Sequence, residues 1–140
     1  MITLYPIGII HNAYKNKQVA PRQGRLSDEI STLEIFPEFT PALKGVEKVS
    51  NLFVLYWGDQ SNREVLQSPT PFTDQQIGVF ATRSPNRPNP IAICIADLLE
   101  VRQNTLTVRG VDAVDGSPIL DIKVYDHKID SISETRNDNW

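Results

Sequence analysis

The stretch from Val49 to Trp57, VSNLFVLYW, constrains this chain most. It is apolar nearly throughout, yet too short for a typical buried helix, so it reads as a buried central strand. The segments around it are equally short. Thr3 to Tyr14 is rich in Ile, Leu and Tyr and reads as a strand interrupted by Pro6 and Gly8, as at an edge or a bulge. Thr32 to Phe36 alternates as a short strand, and Ile77 to Thr82 reads as another. Pro37 to Gly45 carries two prolines and a terminal glycine, enough for one short helix at most. Pro90 to Arg102 alternates at first, Gln103-Asn104 marks a turn, and Thr105 to Val111 returns, which predicts a β-hairpin. Pro118 to Tyr125 is the last strand. Six or seven strands with at most one or two short helices predict a mainly β fold, a small antiparallel β-barrel over residues 1–125. A polar C-terminal tail, 126–140, follows and ends at Trp140.

Composition narrows the function. With 40% hydrophobic residues in 140, the chain can bury a core, which excludes disorder over most of its length. Cys94 is the single cysteine, and His11 and His127 are the two histidines, so neither a disulfide framework nor a cysteine- or histidine-rich metal centre is expected. Cys94 lies in an alternating strand and reads as a small core residue. No apolar run approaches the ~20 residues of a membrane span, and the first residues do not resemble a secretory signal. A cytoplasmic protein without membrane or metal is the expectation. No glycine-rich phosphate loop of the Gly-x-Gly-x-x-Gly or Gly-Lys-Ser/Thr kind is present.

The net charge of −3 argues against bulk attraction to polyanions. Its distribution is uneven. Lys15, Lys17, Arg22 and Arg25 precede the first acid, Asp28, and Gln75 to Ala96 holds Arg83 and Arg87 without any acid. Two basic patches on an acidic body suit a specific phosphate-bearing ligand.

Three stretches look unlike scaffold. Pro21-Arg22-Gln23-Gly24 sets a forked cation and an amide between a rigid and a flexible residue, although four such residues also describe an ordinary turn. Phe80 to Ile91 holds three prolines within six residues, two arginines and two asparagines. Such a loop is ordered before binding, so little entropy is left to lose. Arginine and asparagine suit carboxylates, phosphates or nucleobase edges. The third stretch, Val111 to Pro118, leads into Ile119 to Lys123. Asp115 reads as the cap of an Asp-Gly-Ser-Pro turn. Asp121, inside an apolar strand, would need an arginine such as Arg83 or Arg87 if buried. Asp59, just after the buried strand in Trp57-Gly58-Asp59-Gln60, either accepts hydrogen bonds from a ribose or an amine, or caps a backbone amide.

Together these stretches resemble the TrmO (TsaA/YaeB-like) family of S-adenosylmethionine-dependent tRNA N6-threonylcarbamoyladenosine methyltransferases, in a single-domain form. The family's "PRQ" signature is matched by Pro21-Arg22-Gln23. Its "GVFATRSPxRPNPIG" signature is matched from Gly78 through Ile91, with Ala92 replacing the final glycine. Its "DxxDGTPxxDIKPY" signature is matched from Asp112 to Tyr125, with Ser117 for threonine and Val124 for proline. The resemblance implies a small β-barrel, a homodimer, S-adenosylmethionine as cofactor and tRNA as partner. It implies cofactor-binding roles for Pro21, Arg22, Gln23, Gln60, Arg83, Asn89, Pro90, Ile91, Val111 and Asp112. Asp59 is the candidate catalytic residue, and Arg87, Lys15 and Arg25 are candidates for tRNA contact. A catalytically silent module that binds S-adenosylmethionine or a nucleotide is the alternative, since it needs the same pocket.

Overall fold

The computed structural model describes residues 1–16, 18–21 and 23–136. Among the described residues eight strands form: β1 (Gly8–His11), β2 (Ile30–Ile35), β3 (Asn51–Trp57), β4 (Gln67–Thr70), β5 (Thr73–Gly78), β6 (Ile91–Arg102), β7 (Thr105–Arg109) and β8 (Pro118–Val124). Six of them close into a barrel in the order β1-β2-β7-β6-β3-β8, and β4 and β5 pair as a separate hairpin. Every barrel pairing is antiparallel, including the closing one, where Gly8 faces Ile119 and Ile9 faces Pro118. Closure removes the exposed edges that an open sheet would carry.

Period-two patterning fills the interior. Leu33 and Ile35 of β2, Leu52 and Val54 of β3, Cys94 and Ala96 of β6, and Leu106 and Val108 of β7 point inward. Ile10, Val111, Ala113 and Ile119 complete the core. Ser31 is buried among them and accepts from Asn12 Nδ2 at 3.2 Å, so the interior keeps no unpaired hydroxyl there. The Cys94 thiol is pushed up to about 12, by burial first and then by Asp112, which makes it inert at neutral pH.

Because neighbouring barrel strands alternate in direction, the connections collect at two ends. The described residues of 12–29, with 58–90 and 110–117, gather at one end, which we call the mouth. At the far end lie the tight Gln103-Asn104 hairpin and residues 36–50, where 3-10 turns at Pro37–Leu43 and Val46–Lys48 lay Phe39, Leu43 and Val46 against the core. The three stretches singled out in the sequence therefore lie in loops at the mouth.

Several local expectations are corrected. Strand β1 is shorter than Thr3 to Tyr14, because the chain pairs only from Gly8 to His11. The Ile77 to Thr82 strand is displaced: β5 ends at Gly78 and Val79–Ala81 turns as a 3-10 element, burying Val79 while Phe80 points outward. Asp121 is exposed on the outer face of β8, where it accepts from the Ile122 backbone N–H and lies 3.8 Å from Lys123 Nζ. It pairs with neither Arg83 nor Arg87. A short helix, α1 (His127–Asp130), follows β8, with Asp126 accepting from the Lys128 N–H at its start. Trp140 lies outside the described residues.

One polar cluster ties the mouth to the barrel wall. Asp97 of β6 accepts from Arg25 Nη1 at 2.8 Å, Asn51 Nδ2 at 2.8 Å and Arg109 Nε at 3.3 Å. Burial pushes the Asp97 carboxyl up, but the Arg25 hydrogen bond and charge, with Arg109 and Asn51, prevail and hold it below the usual range. Folding thus favours the charged form. That stabilisation is complete above about pH 4, the ordinary aspartate value, and disappears as pH falls through the lower folded-state value. Asp97→Asn is expected to cost about 1 kcal/mol at pH 7, since both arginines are partly solvated, and to flatten the acid limb of stability. Urea titrations at pH 7 and pH 3 on both proteins check this.

Candidate functional site

The three mouth loops enclose a cavity of about 550 Å³, within the range of small-molecule and cofactor sites. Its walls come from Ala20, Pro21 and Gln23, from Tyr56 and residues 58–61, from Pro69 to Pro71 of the β4–β5 hairpin, from residues 82–85, Arg87 and residues 90–93, and from Asp112 and residues 114–117. All three stretches singled out in the sequence meet here, although they are far apart along the chain.

The proline-rich loop is held rigid from both sides. Gly58 N–H donates to Pro90 O at 2.7 Å, and Asn62 N–H donates to Asn86 Oδ1 at 2.9 Å. Arg63 stacks over Trp57 with its guanidinium carbon 5.1 Å from the ring centroid, and donates to Pro88 O at 2.7 Å and Asn89 Oδ1 at 3.0 Å. Within the loop, Thr82 Oγ1 donates to Val79 O and accepts from Ser84 N–H. Arg87 turns back on its own loop: Nη2 donates to Val79 O and, at 2.9 Å, to Thr82 O. Its Nε is buried with no hydrogen-bond partner among the described residues.

The cavity wall contains a partly buried polar pair. Tyr56, on β3, donates its hydroxyl to Asp112 Oδ1 at 2.8 Å. Burial, then the neighbouring Asp112 charge, pushes the Tyr56 hydroxyl far above its ordinary range, so it remains a donor. Burial also pushes the Asp112 carboxyl up, against the Tyr56 hydroxyl, its own and the Gly24 backbone N–H groups, and Arg83. Asp115, by contrast, is held below the usual range by Lys15 Nζ at 2.9 Å and by the Asn12 backbone N–H.

The approach that brings Gly24 to Asp112 tolerates no side chain. A Cβ on Gly24 would lie 1.9 Å from Gly110 O and 3.2 Å from Cys94 Cβ. Gly110 itself adopts a φ of 101°, the left-handed region that glycine enters without strain.

Most of the sequence-derived candidates converge on the cavity. Pro21, Gln23, Asp59, Gln60, Arg83, Arg87, Pro90, Ile91 and Asp112 all line it. Arg22 lies outside the described residues. Val111 is fully buried and its side chain belongs to the core, so a cofactor could meet only its backbone. Asn89 is exposed on the outer side of the loop and serves Arg63. Lys15 is engaged with Asp115, and Arg25 with Asp97, so a phosphate would compete with an existing carboxylate at either position. Tyr56 escaped the sequence reading. A hydroxyl inside an apolar strand needs a buried partner, and that was the available signal. Pro69 to Pro71 escaped because nothing in that polar run signals a hairpin.

Comparison with known proteins agrees with this assembly. The family described as the tRNA-methyltransferase O N-terminal domain matches residues 9–131. The chain belongs to the TrmO family. An S-adenosyl-L-methionine-binding protein of Archaeoglobus fulgidus is 45% identical over 131 residues, covering 94% of each chain. The crystal structure of TrmO from Pseudomonas aeruginosa superposes with a TM-score of 0.83 at 34% identity, covering 99% of this chain and 62% of that one. A second TrmO crystal structure gives 0.82 at 35% identity, covering 99% of this chain and 64% of that one. The chain thus spans about three fifths of the length of these solved TrmO chains. The shared fold is the closed antiparallel barrel, which departs from the doubly wound sheet of many nucleotide-binding proteins. No helix among the described residues is long and apolar enough to cross a membrane. None of the described His, Cys, Asp and Glu side chains group as a metal site.

Proposed function

We propose that this chain binds S-adenosylmethionine in the mouth cavity and methylates N6 of threonylcarbamoyladenosine beside the tRNA anticodon. The observation that carries this reading is the convergence of Pro21, Gln23, the proline-rich loop and Asp112 on one cavity of cofactor size. The donor set suits the ligand. Arg83 and Arg87 can take the methionine carboxylate, and the buried, unpartnered Arg87 Nε is a donor in need of an acceptor. Gln23 and Gln60 offer amide contacts for adenine, with Pro21, Pro90 and Ile91 as apolar walls. When bound, the cofactor supplies an electrophilic methyl group on a sulfonium. The protein's share is positioning, which a preordered loop provides at low entropic cost.

A homodimer belongs to this reading. Phe80, Ile91 and Ile93 are exposed large apolar side chains in the segments that frame the cavity, a face suited to a second copy. Light scattering at micromolar concentration tests it, and a stable monomer would remove the dimer.

The function is tested by incubating the protein with labelled S-adenosylmethionine and tRNA, either bearing threonylcarbamoyladenosine or lacking it. Label is expected only in the modified tRNA. Cofactor binding by calorimetry with both tRNAs unlabelled would instead identify a silent binding module.

A further inference from the structure

We propose that Asp112 is the catalytic proton acceptor of the mouth cavity, with Tyr56 as the residue that positions it. This assignment rests on the methyl-transfer reading above. It replaces the simple cofactor contact that the sequence assigned to Asp112.

A carbamoyl-substituted N–H is a poor nucleophile, and its alkylated product is cationic until a proton leaves. In the balanced step the C–S bond breaks with its electron pair going to sulfur. The nitrogen forms the new N–C bond, and its proton passes to a carboxylate. Few groups on the cavity wall can accept it. Arg83 and Arg87 are cations. The Tyr56 hydroxyl stays protonated and already donates to Asp112. Asp115 is bonded by Lys15 and by the Asn12 N–H, which makes it a weak base. Asp59 is exposed on its loop, where water competes for any proton. Asp112 remains. It is partly buried on the cavity wall, its orientation is fixed by the Tyr56 bond at 2.8 Å, and burial strengthens it as a base.

Among the described residues, no ion pair compensates Asp112. The charged and titratable groups acting on it, among the described residues, are Tyr56 from β3, Cys94 from β6 and Arg83 from the proline-rich loop. None of these donates a salt bridge to it among the described residues. A carboxylate retained in a partly buried site without a countercharge costs stability, a pattern that suits chemistry better than scaffolding. The sign follows from linkage. A folded-state value above the unfolded one means that ionisation weakens folding, so stability falls as pH rises through that window.

The test uses Asp112→Asn in the full chain, whose amide oxygen can still accept from Tyr56. Methylation of modified tRNA at saturating cofactor should fall at least about 100-fold, the scale of a lost general base. Affinity for S-adenosylhomocysteine, read by calorimetry, should stay within about threefold. The unfolding midpoint at pH 7 should be unchanged or higher. Tyr56→Phe should lower turnover more than it raises the KM for cofactor. Turnover by Asp112→Asn within about fivefold of the parent would overturn the assignment, and so would an equal loss of cofactor affinity, which would return Asp112 to a binding role. A clear drop in its midpoint would make Asp112 structural. A parent protein that methylates neither tRNA overturns the acceptor reading and this proposal together.

Discussion

Alanine at position 24 is expected to destabilise this protein by about 3 kcal/mol or more, the upper range for overpacking, and to abolish cofactor binding along with it. The added Cβ would sit 1.9 Å from one backbone atom of Gly110 and 2.9 Å from another. Neither can yield as a flexible side-chain tip would. Gly110 is itself committed to a positive φ, and a Cβ there would meet Ile95 O at 3.0 Å. The strain therefore has to be released by lifting the 24–26 turn off the barrel. That movement would also withdraw the Gly24 N–H from Asp112 and shift Gln23 on the cavity wall. For a domain of this size, a loss of that magnitude lowers the thermal midpoint by roughly 10 °C. Thermal unfolding with and without S-adenosylhomocysteine checks both parts. A variant with the parent's midpoint would mean that the turn has slack not visible in its packing.

Arg87→Ala is expected to weaken cofactor binding and turnover together, each by about 10- to 100-fold, equivalent to roughly 1.5–3 kcal/mol for a charged hydrogen-bonding group. In the sequence, Arg87 reads as a tRNA contact. The fold turns its guanidinium inward onto Val79 O and Thr82 O while leaving it on the cavity wall. Truncation strands two carbonyls and removes the charge in the same stroke. Calorimetry and single-turnover methylation separate the possibilities. Intact affinity with reduced turnover would restore the tRNA-facing assignment.

How far the sequence reaches depends on whether a feature is local. The Val49 to Trp57 run becomes β3 because a continuous apolar stretch bounded by turns has few other fates. The Gln103-Asn104 hairpin forms as expected, with Gln103 taking the positive φ of 55° that such a tight turn requires. Strand β4 was illegible, because Gln-Ser-Pro-Thr has neither alternation nor apolar content and is held by pairing with β5. Asp121 lies outside because β8 has one extra residue at Leu120: Ile119 faces Tyr56 and Asp121 faces Leu55, so Asp121 does not share the inward face of Ile119 two residues before it, and no local pattern announces that shift. The Tyr56–Asp112 pair joins residues 56 positions apart, a relation no local pattern encodes. The family signatures marked Asp112, but only the register of β3 against β8 and the placement of residues 110–117 show what it touches.

The even number of barrel strands has a practical consequence. With six strands alternating in direction, entry at Gly8 and exit at Val124 fall on the same side, away from the cavity. Chain that leads into Gly8 or away from Val124 therefore joins the barrel at its base and not at the opening. Immobilisation through an engineered site at the base, beside Gly8 or Val124, should leave ligand capture intact, whereas attachment through a lysine such as Lys15, beside Asp115 at the opening, would obstruct it.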